Sequence, residues 1–275
     1  TPSKDFLKKI VAPFKEDERI CAVQARWDFL NANQNLISIL GSTIVSVVHH
    51  IVLPFIYKKR KISFLCGSAE AVRKNTLLKL GSWQNGSLTE DIEYSLRAIK
   101  NGYRIVYLED LKCKGEVPYT PKDLYKQQMR WAYGVVKSFK EHNKDIINNK
   151  FLKLKDKLYI NFVCNGYLLT IIIFGLLITG FINIIISDPN TPYIMSDTFL
   201  KFFKSLLMSS GILTASIVAI IKGNNYKKII HLLTSMFSYG LVVTYYVNKG
   251  IFKVLFTKQQ MEWFMLNKKG NKLST

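Results

Sequence analysis

Acidic residues are scarce in this chain: 19 aspartates and glutamates stand against 39 lysines and arginines, a formal net charge of +20. Such an excess suits an anionic partner, either nucleic acid or an anionic membrane surface. Cysteine and histidine are sparse too, with 4 of each. Cys21, Cys66, Cys113 and Cys164 show no Cys-x-x-Cys spacing, which argues against a disulfide framework or a zinc site and fits a reducing compartment. His49 and His50 are adjacent, so a helix turns their side chains apart and a structural role outweighs a ligand pair. The chain lacks an initiator Met, a signal peptide, and any helix-turn-helix, zinc-finger or RNP-like pattern. Nucleic acid is therefore set aside as a partner, and the membrane remains.

Long apolar stretches support that choice. They run from about Leu158 to Ile186, Phe199 to Ile221 and Ile229 to Val247, each long enough to cross a hydrocarbon core. The loop at Asp188-Pro189-Asn190-Thr191-Pro192 has no basic residue, whereas Lys222, Lys227 and Lys228 flank the next one, so the first is expected outside and the second inside. A lysine-rich tail after residue 249 favours the inside, in conflict with three spans. Leu36 to Ile56 is also apolar, but it is flanked by segments of one catalytic fold. It is read as a helix in or beside the interface, with Lys58-Lys59-Arg60-Lys61 against headgroups.

The first half alternates strands and helices. Lys4 to Lys15 reads as an amphipathic helix, Ile20 to Trp27 as a strand, Ile62 to Leu65 as a strand, and Glu70 to Leu80 as a helix. Arg104 to Leu108 reads as a strand after the Asn101-Gly102 turn, and a helix begins near Pro121.

The chemistry concentrates between Gly81 and Gly134. A loop of Gly, Ser, Asn and Trp leads to Thr89-Glu90-Asp91, where Thr89 can cap a helix continued by Ile92, Leu96 and Ile99. Asp91 at that helix start can act as a general base toward a hydroxyl group, or Glu90 and Asp91 can simply favour the helix dipole. Further on, Gln127, Arg130, Trp131 and Gly134 share helical spacing. A guanidinium beside an indole suits an anionic leaving group and a stacked sugar or base.

Thr89-Glu90-Asp91, followed by Gln127-Gln128-Met129-Arg130-Trp131, resembles the paired signature of family 2 membrane glycosyltransferases, the group of cellulose, hyaluronan, chitin and poly-N-acetylglucosamine synthases. Phe64-Leu65-Cys66-Gly67-Ser68 with Arg73 resembles their acceptor-site segment, and Trp83 and Arg97-Ala98 fit the same pattern. The resemblance implies a partial GT-A-like α/β transferase domain over residues 1–150, transmembrane helices over 151–250 and a basic tail over 251–275. It also implies an integral membrane protein with its catalytic domain in the cytoplasm.

In the roles that the resemblance implies, Asp91 is the base, with Glu90 and Thr89 shaping its turn. Gln127, Gln128, Arg130, Trp131, Cys66, Gly67 and Ser68 bind substrate. Gln24 and Trp27 lie near the site, and Glu116 stands behind it. The donor is a UDP- or GDP-sugar, and the acceptor is a saccharide or a lipid. Mg²⁺ or Mn²⁺ is expected on an Asp-x-Asp motif preceding Pro2 and Leu7, so the chain reads as the C-terminal part of a longer enzyme, inactive alone. Phe256-Thr257-Lys258 and Glu262-Trp263 to Lys269-Gly270 resemble, more loosely, the gating loop and tail of related synthases. The function implied is inverting transfer onto a growing polysaccharide. The alternatives are a non-processive glycolipid or lipid-linked-sugar transferase and a non-catalytic membrane scaffold.

Overall fold

The computed structural model describes residues 2–186, 192–223, 226, 228–257 and 260–264. Helix α1 (Phe6–Val11) runs into a 3-10 turn at Ala12–Lys15 and packs Phe6 and Ile10 on strand β1 (Ile20–Phe29). Residues Ile20 to Ala25 of β1 are buried without alternation, as expected for a strand covered on both faces. It is the central strand, antiparallel to β2 (Glu70–Val72) and parallel to β3 (Arg104–Gly115).

A parallel pair needs a crossover, and helices supply it. Between β1 and β2 lie α2 (Leu36–Val47), a π-helical turn at Val48–Val52 and α3 (Leu53–Arg60). Between β2 and β3 lie α4 (Lys74–Lys79) and α5 (Glu90–Lys100). Helix α6 (Pro121–Asn148) follows, with Pro121 in its first turn and the Thr120 side chain accepting from the Asp123 N–H at 3.2 Å. Then come α7 (Leu154–Asn165), α8 (Leu169–Ile186), α9 (Pro192–Lys222), α10 (Lys228–Ser235) and α11 (Leu241–Phe256). The α/β class expected from the sequence is what the structure has.

Two local readings are corrected. Ile62 to Leu65 makes no strand, because side chains take its neighbouring donors: Leu65 N–H bonds Ser95 Oγ at 2.9 Å, and Cys66 N–H bonds Gln24 Oε1 at 2.7 Å. The helix expected from Glu70 begins at Lys74 instead. Residues 70–72 are drawn into the ladder beside β1, and the Arg73 N–H continues it to Cys21 O at 2.7 Å.

Among the described residues, three helices are long and apolar enough to cross a membrane: Leu36–Arg60, Leu154–Gly180 and Lys228–Phe256. The first, read from sequence as interfacial, has 56% of its apolar window buried in the fold and packs on α9 and α10. The stretch from Phe199 to Ile221 falls within α9, of which Leu213–Lys222 forms a shorter apolar helix among the described residues. Residues 188–191 of the loop read as external lie outside the described residues, as do Lys227, Lys258 and Lys269-Gly270.

Helix α11 lies along α6: Val243, Val247, Ile251 and Val254 share one apolar cluster with Leu124, Ala132 and Val136. The segment beyond it follows the same helix, with the Phe264 ring 5.4 Å below Lys126 Nζ. The described end of the tail therefore lies against α6.

Candidate active site

Glu90, Asp91 and Glu93 occupy the first turn of α5, where carboxylates favour the helix dipole. Thr89 holds the N-cap position but makes no side-chain cap bond, contrary to expectation. Its Oγ1 instead lies 3.4 Å from Ser138 Oγ on α6. A Cβ placed on Gly134 would fall 2.5 Å from Thr89 Cγ2 and 2.6 Å from its Oγ1, so the turn presses onto α6 where no side chain fits. The acidic turn and the Gln-Gln-Met-Arg-Trp helix thus form one unit.

The Cys66-Gly67-Ser68 turn comes against that unit. Gly67 has φ +80°, a left-handed backbone that favours glycine, and its Cβ position would be 3.1 Å from Asp91 Oδ2. Four side chains fix the turn. Cys66 N–H donates to Gln24 Oε1, and Gly67 N–H donates to Glu70 Oε2 at 3.1 Å. Gln24 Nε2 and Trp27 Nε1 donate to Ser68 O at 3.0 and 2.9 Å. Ser95 joins the turn to α5, donating to Asp91 O at 2.7 Å while accepting from Leu65 N–H.

Two carboxyl groups therefore flank Gly67. Burial, then the charge of Glu70, push the Asp91 carboxyl up to about 7. Burial also lifts Glu70 to about 7, against the pull of the Gly67 and Cys66 N–H groups. Asp91 thus titrates near neutrality, where a general base works best. Burial, with Asp91 and Glu70 adding to it, pushes the Cys66 thiol well up, so it stays a protonated wall of the site.

From α6, Arg130 Nη1 donates to Leu88 O at 2.9 Å and so pins the approach to the acidic turn. Burial lowers its pKa, while the Asp91 and Glu90 charges hold it up. Among the described residues, buried Arg130 Nε and Gln128 Nε2 lack hydrogen-bond partners. Gln127 and Gln128 are buried, and Glu90 is exposed. The Trp131 ring lies 6.3 Å from Trp27, which stacks on His49 at 5.3 Å. Tyr107 Oη supports that wall by donating to His49 O at 2.6 Å.

The loop before Thr89 is held from behind. Arg97 pairs with Glu93 at 2.7 Å and donates to the carbonyls of Leu80 and Ser82. His142 Nε2 meets Glu93 Oε1 at 2.9 Å and ties α6 to the same group. Sequence reasoning missed Glu70, Ser95, Ser138 and His142. Only Glu70 left a signal, as an acid three residues beyond a turn glycine. Among the described residues, no group of three or more His, Cys, Asp or Glu side chains could hold a metal ion. Glu70 and Asp91, both lifted toward neutrality, do not replace such a set.

A mixed α/β sheet, an acidic helix start and an Arg-Trp helix closing on it meet in one place, and comparison gives the class. The chain belongs to glycosyl transferase family group 2, whose sequence model matches residues 1–252. It is similar to glucomannan 4-beta-mannosyltransferase 1 of Oryza sativa subsp. japonica, 25% identical over 279 residues, covering 99% of this chain and 50% of the relative. Probable glucomannan 4-beta-mannosyltransferase 9 of the same plant is 28% identical over 275 residues, at 99% and 50% coverage. Probable glucomannan 4-beta-mannosyltransferase 3 of Arabidopsis thaliana is 30% identical over 161 residues, covering 58% of this chain and 29% of the relative. The chain spans about half the length of the first of these relatives.

Proposed function

We propose that this chain carries the acceptor-side half of an inverting glycosyltransferase that extends a polysaccharide at the membrane from a UDP- or GDP-sugar. The observation that carries the proposal is the Asp91 carboxyl, set against Gly67 at the mouth of the acidic turn and titrating at about 7. Asp91 removes the proton from an acceptor hydroxyl as that oxygen bonds the anomeric carbon. The bond from that carbon to the nucleotide diphosphate breaks, and the diphosphate leaves with the electron pair. Arg130 supplies positive charge to the leaving group. Trp131 and Trp27 present ring faces to the acceptor sugar. Gln127 contributes an amide, and Cys66-Gly67-Ser68 a close backbone surface.

Mg²⁺ or Mn²⁺ would offset charge on the donor diphosphate. The described residues do not form its ligand set, so no step is routed through it. The relatives' names point to a mannosyl donor and a 4-hydroxyl acceptor. Residues 1–150 serve as the transferase part, 151–250 as the membrane part and 251–275 as the tail. The transferase part faces the cytoplasm, a placement supported by Lys222 and Lys228 lying beside the catalytic sheet.

The test is nucleotide release by the full-length protein that contains this half, in membrane vesicles with Mg²⁺ and a panel of UDP- and GDP-sugars. Release accompanied by labelled polymer supports the proposal. A single sugar on lipid would replace it with glycolipid synthesis, and no release from any donor would favour a scaffold.

A further inference from the structure

We infer that the open pocket between β1, β3, α2, α9 and α10 binds a phosphoryl anion. It is lined by Arg26, Lys112, Lys222 and Lys228, with His50 beside them and Asp28 as the carboxylate in its wall. It shares no residue with the candidate active site. The Asp28 side chain already accepts from the Phe29 N–H at 2.9 Å. Lys222 Nζ donates to the neutral carbonyl of His50 at 3.0 Å. Among the described residues, Arg26, Lys112 and Lys228 make no side-chain hydrogen bond or close salt bridge; the charge of Asp28 reaches Lys228, and that of Glu109 reaches Arg26 and Lys222, so two carboxylates face four cations.

Lys228 makes the need for a ligand acute. It is 9% exposed and sits at the first position of α10, whose first turn has no acidic residue. The positive end of a helix dipole disfavours a cation, and an unpaired buried ammonium is costly. An anion in the cavity reverses both penalties and relieves the repulsion among the four cations. A phosphoryl group fits best: it offers several acceptor oxygens and enough charge to meet an arginine and lysines from different elements.

Two sources share that chemistry. α2 and α10 belong to helices apolar enough to cross a membrane, so the headgroup of an anionic phospholipid can reach the cavity. Soluble phosphate can also enter it. The pocket joins residues spread from β1 to α10, so occupancy should hold α10 against the sheet.

The test measures the apparent melting temperature of the purified membrane protein. One arm, in neutral detergent, compares inorganic phosphate with chloride at equal ionic strength. The other compares nanodiscs of phosphatidylcholine with and without phosphatidylglycerol. The expected result is a rise of roughly 2–4 °C with phosphate, phosphatidylglycerol or both. That rise should be lost in Lys112→Gln, at an exposed position, and in Lys228→Met, and kept in the distant control Lys79→Gln. A rise with phosphate alone assigns a soluble anion, and one with phosphatidylglycerol alone assigns the lipid. No rise in either arm, or an equal rise in the two cavity variants, overturns the inference.

Discussion

Thr89 Cγ2 lies 2.5 Å from the position that a Cβ on Gly134 would occupy. This contact couples the turn that carries Asp91 to the helix that carries Arg130 and Trp131. Gly134→Ala should cost about 1–3 kcal/mol through overpacking and should lower transfer more than it lowers expression. Thr89→Ala in the same chain removes the two closest atoms and leaves a 3.0 Å approach, so it should restore part of the melting temperature. Equal stability of wild type and Gly134→Ala would contradict the contact.

Glu70 should set the pH dependence. Its negative charge is the largest contribution after burial to the raised Asp91 pKa of about 7. Asp91 works ionised, so kcat/KM should rise as pH increases through about 7. Glu70→Gln removes the charge, lowers the Asp91 pKa and moves the acid limb to lower pH. A limb that stays in place, measured between pH 5 and 9, would separate Glu70 from Asp91.

The same shift has a consequence for stability. A carboxyl whose folded pKa is raised stabilises the fold below its unfolded pKa of about 4, and that contribution is lost as pH rises through about 7. Asp91→Asn should therefore melt higher than wild type at pH 8, with the difference closing near pH 4. Thermal scans across that range check it, independently of any activity.

Arg97 should hold the loop that leads into the site. Arg97→Met leaves Glu93 buried beside His142 alone and frees the carbonyls of Leu80 and Ser82. Breaking such a buried pair costs about 3–5 kcal/mol. Limited proteolysis should then cut between residues 80 and 88 first.

The sequence carried the motifs plainly because their order and spacing are local. Asp91 at a helix start and Arg130-Trp131 on a later helix were readable from periodicity and residue type. Glu70 was not, since its approach to Gly67 depends on a strand that pairs only because β1 lies beside it. Residues 62–65 looked like a strand by composition, and only the reach of Ser95 and Gln24 takes their donors away. Thr89 looked like a cap because threonine commonly is one, but contact with Gly134 and Ser138 draws it to α6. The cationic cavity joins residues from positions 26 to 228, and no local pattern reports such a meeting.

The central claim is that Asp91 is the base. Nucleotide release should be compared between the full-length protein and its Asp91→Asn variant in membrane vesicles, with the donor that wild type uses. The account predicts a loss of about 10²–10⁴-fold in kcat, with the variant folded and inserted at wild-type levels. Release within about threefold of wild type at pH 7.5 would contradict it, since general-base catalysis is not worth so little.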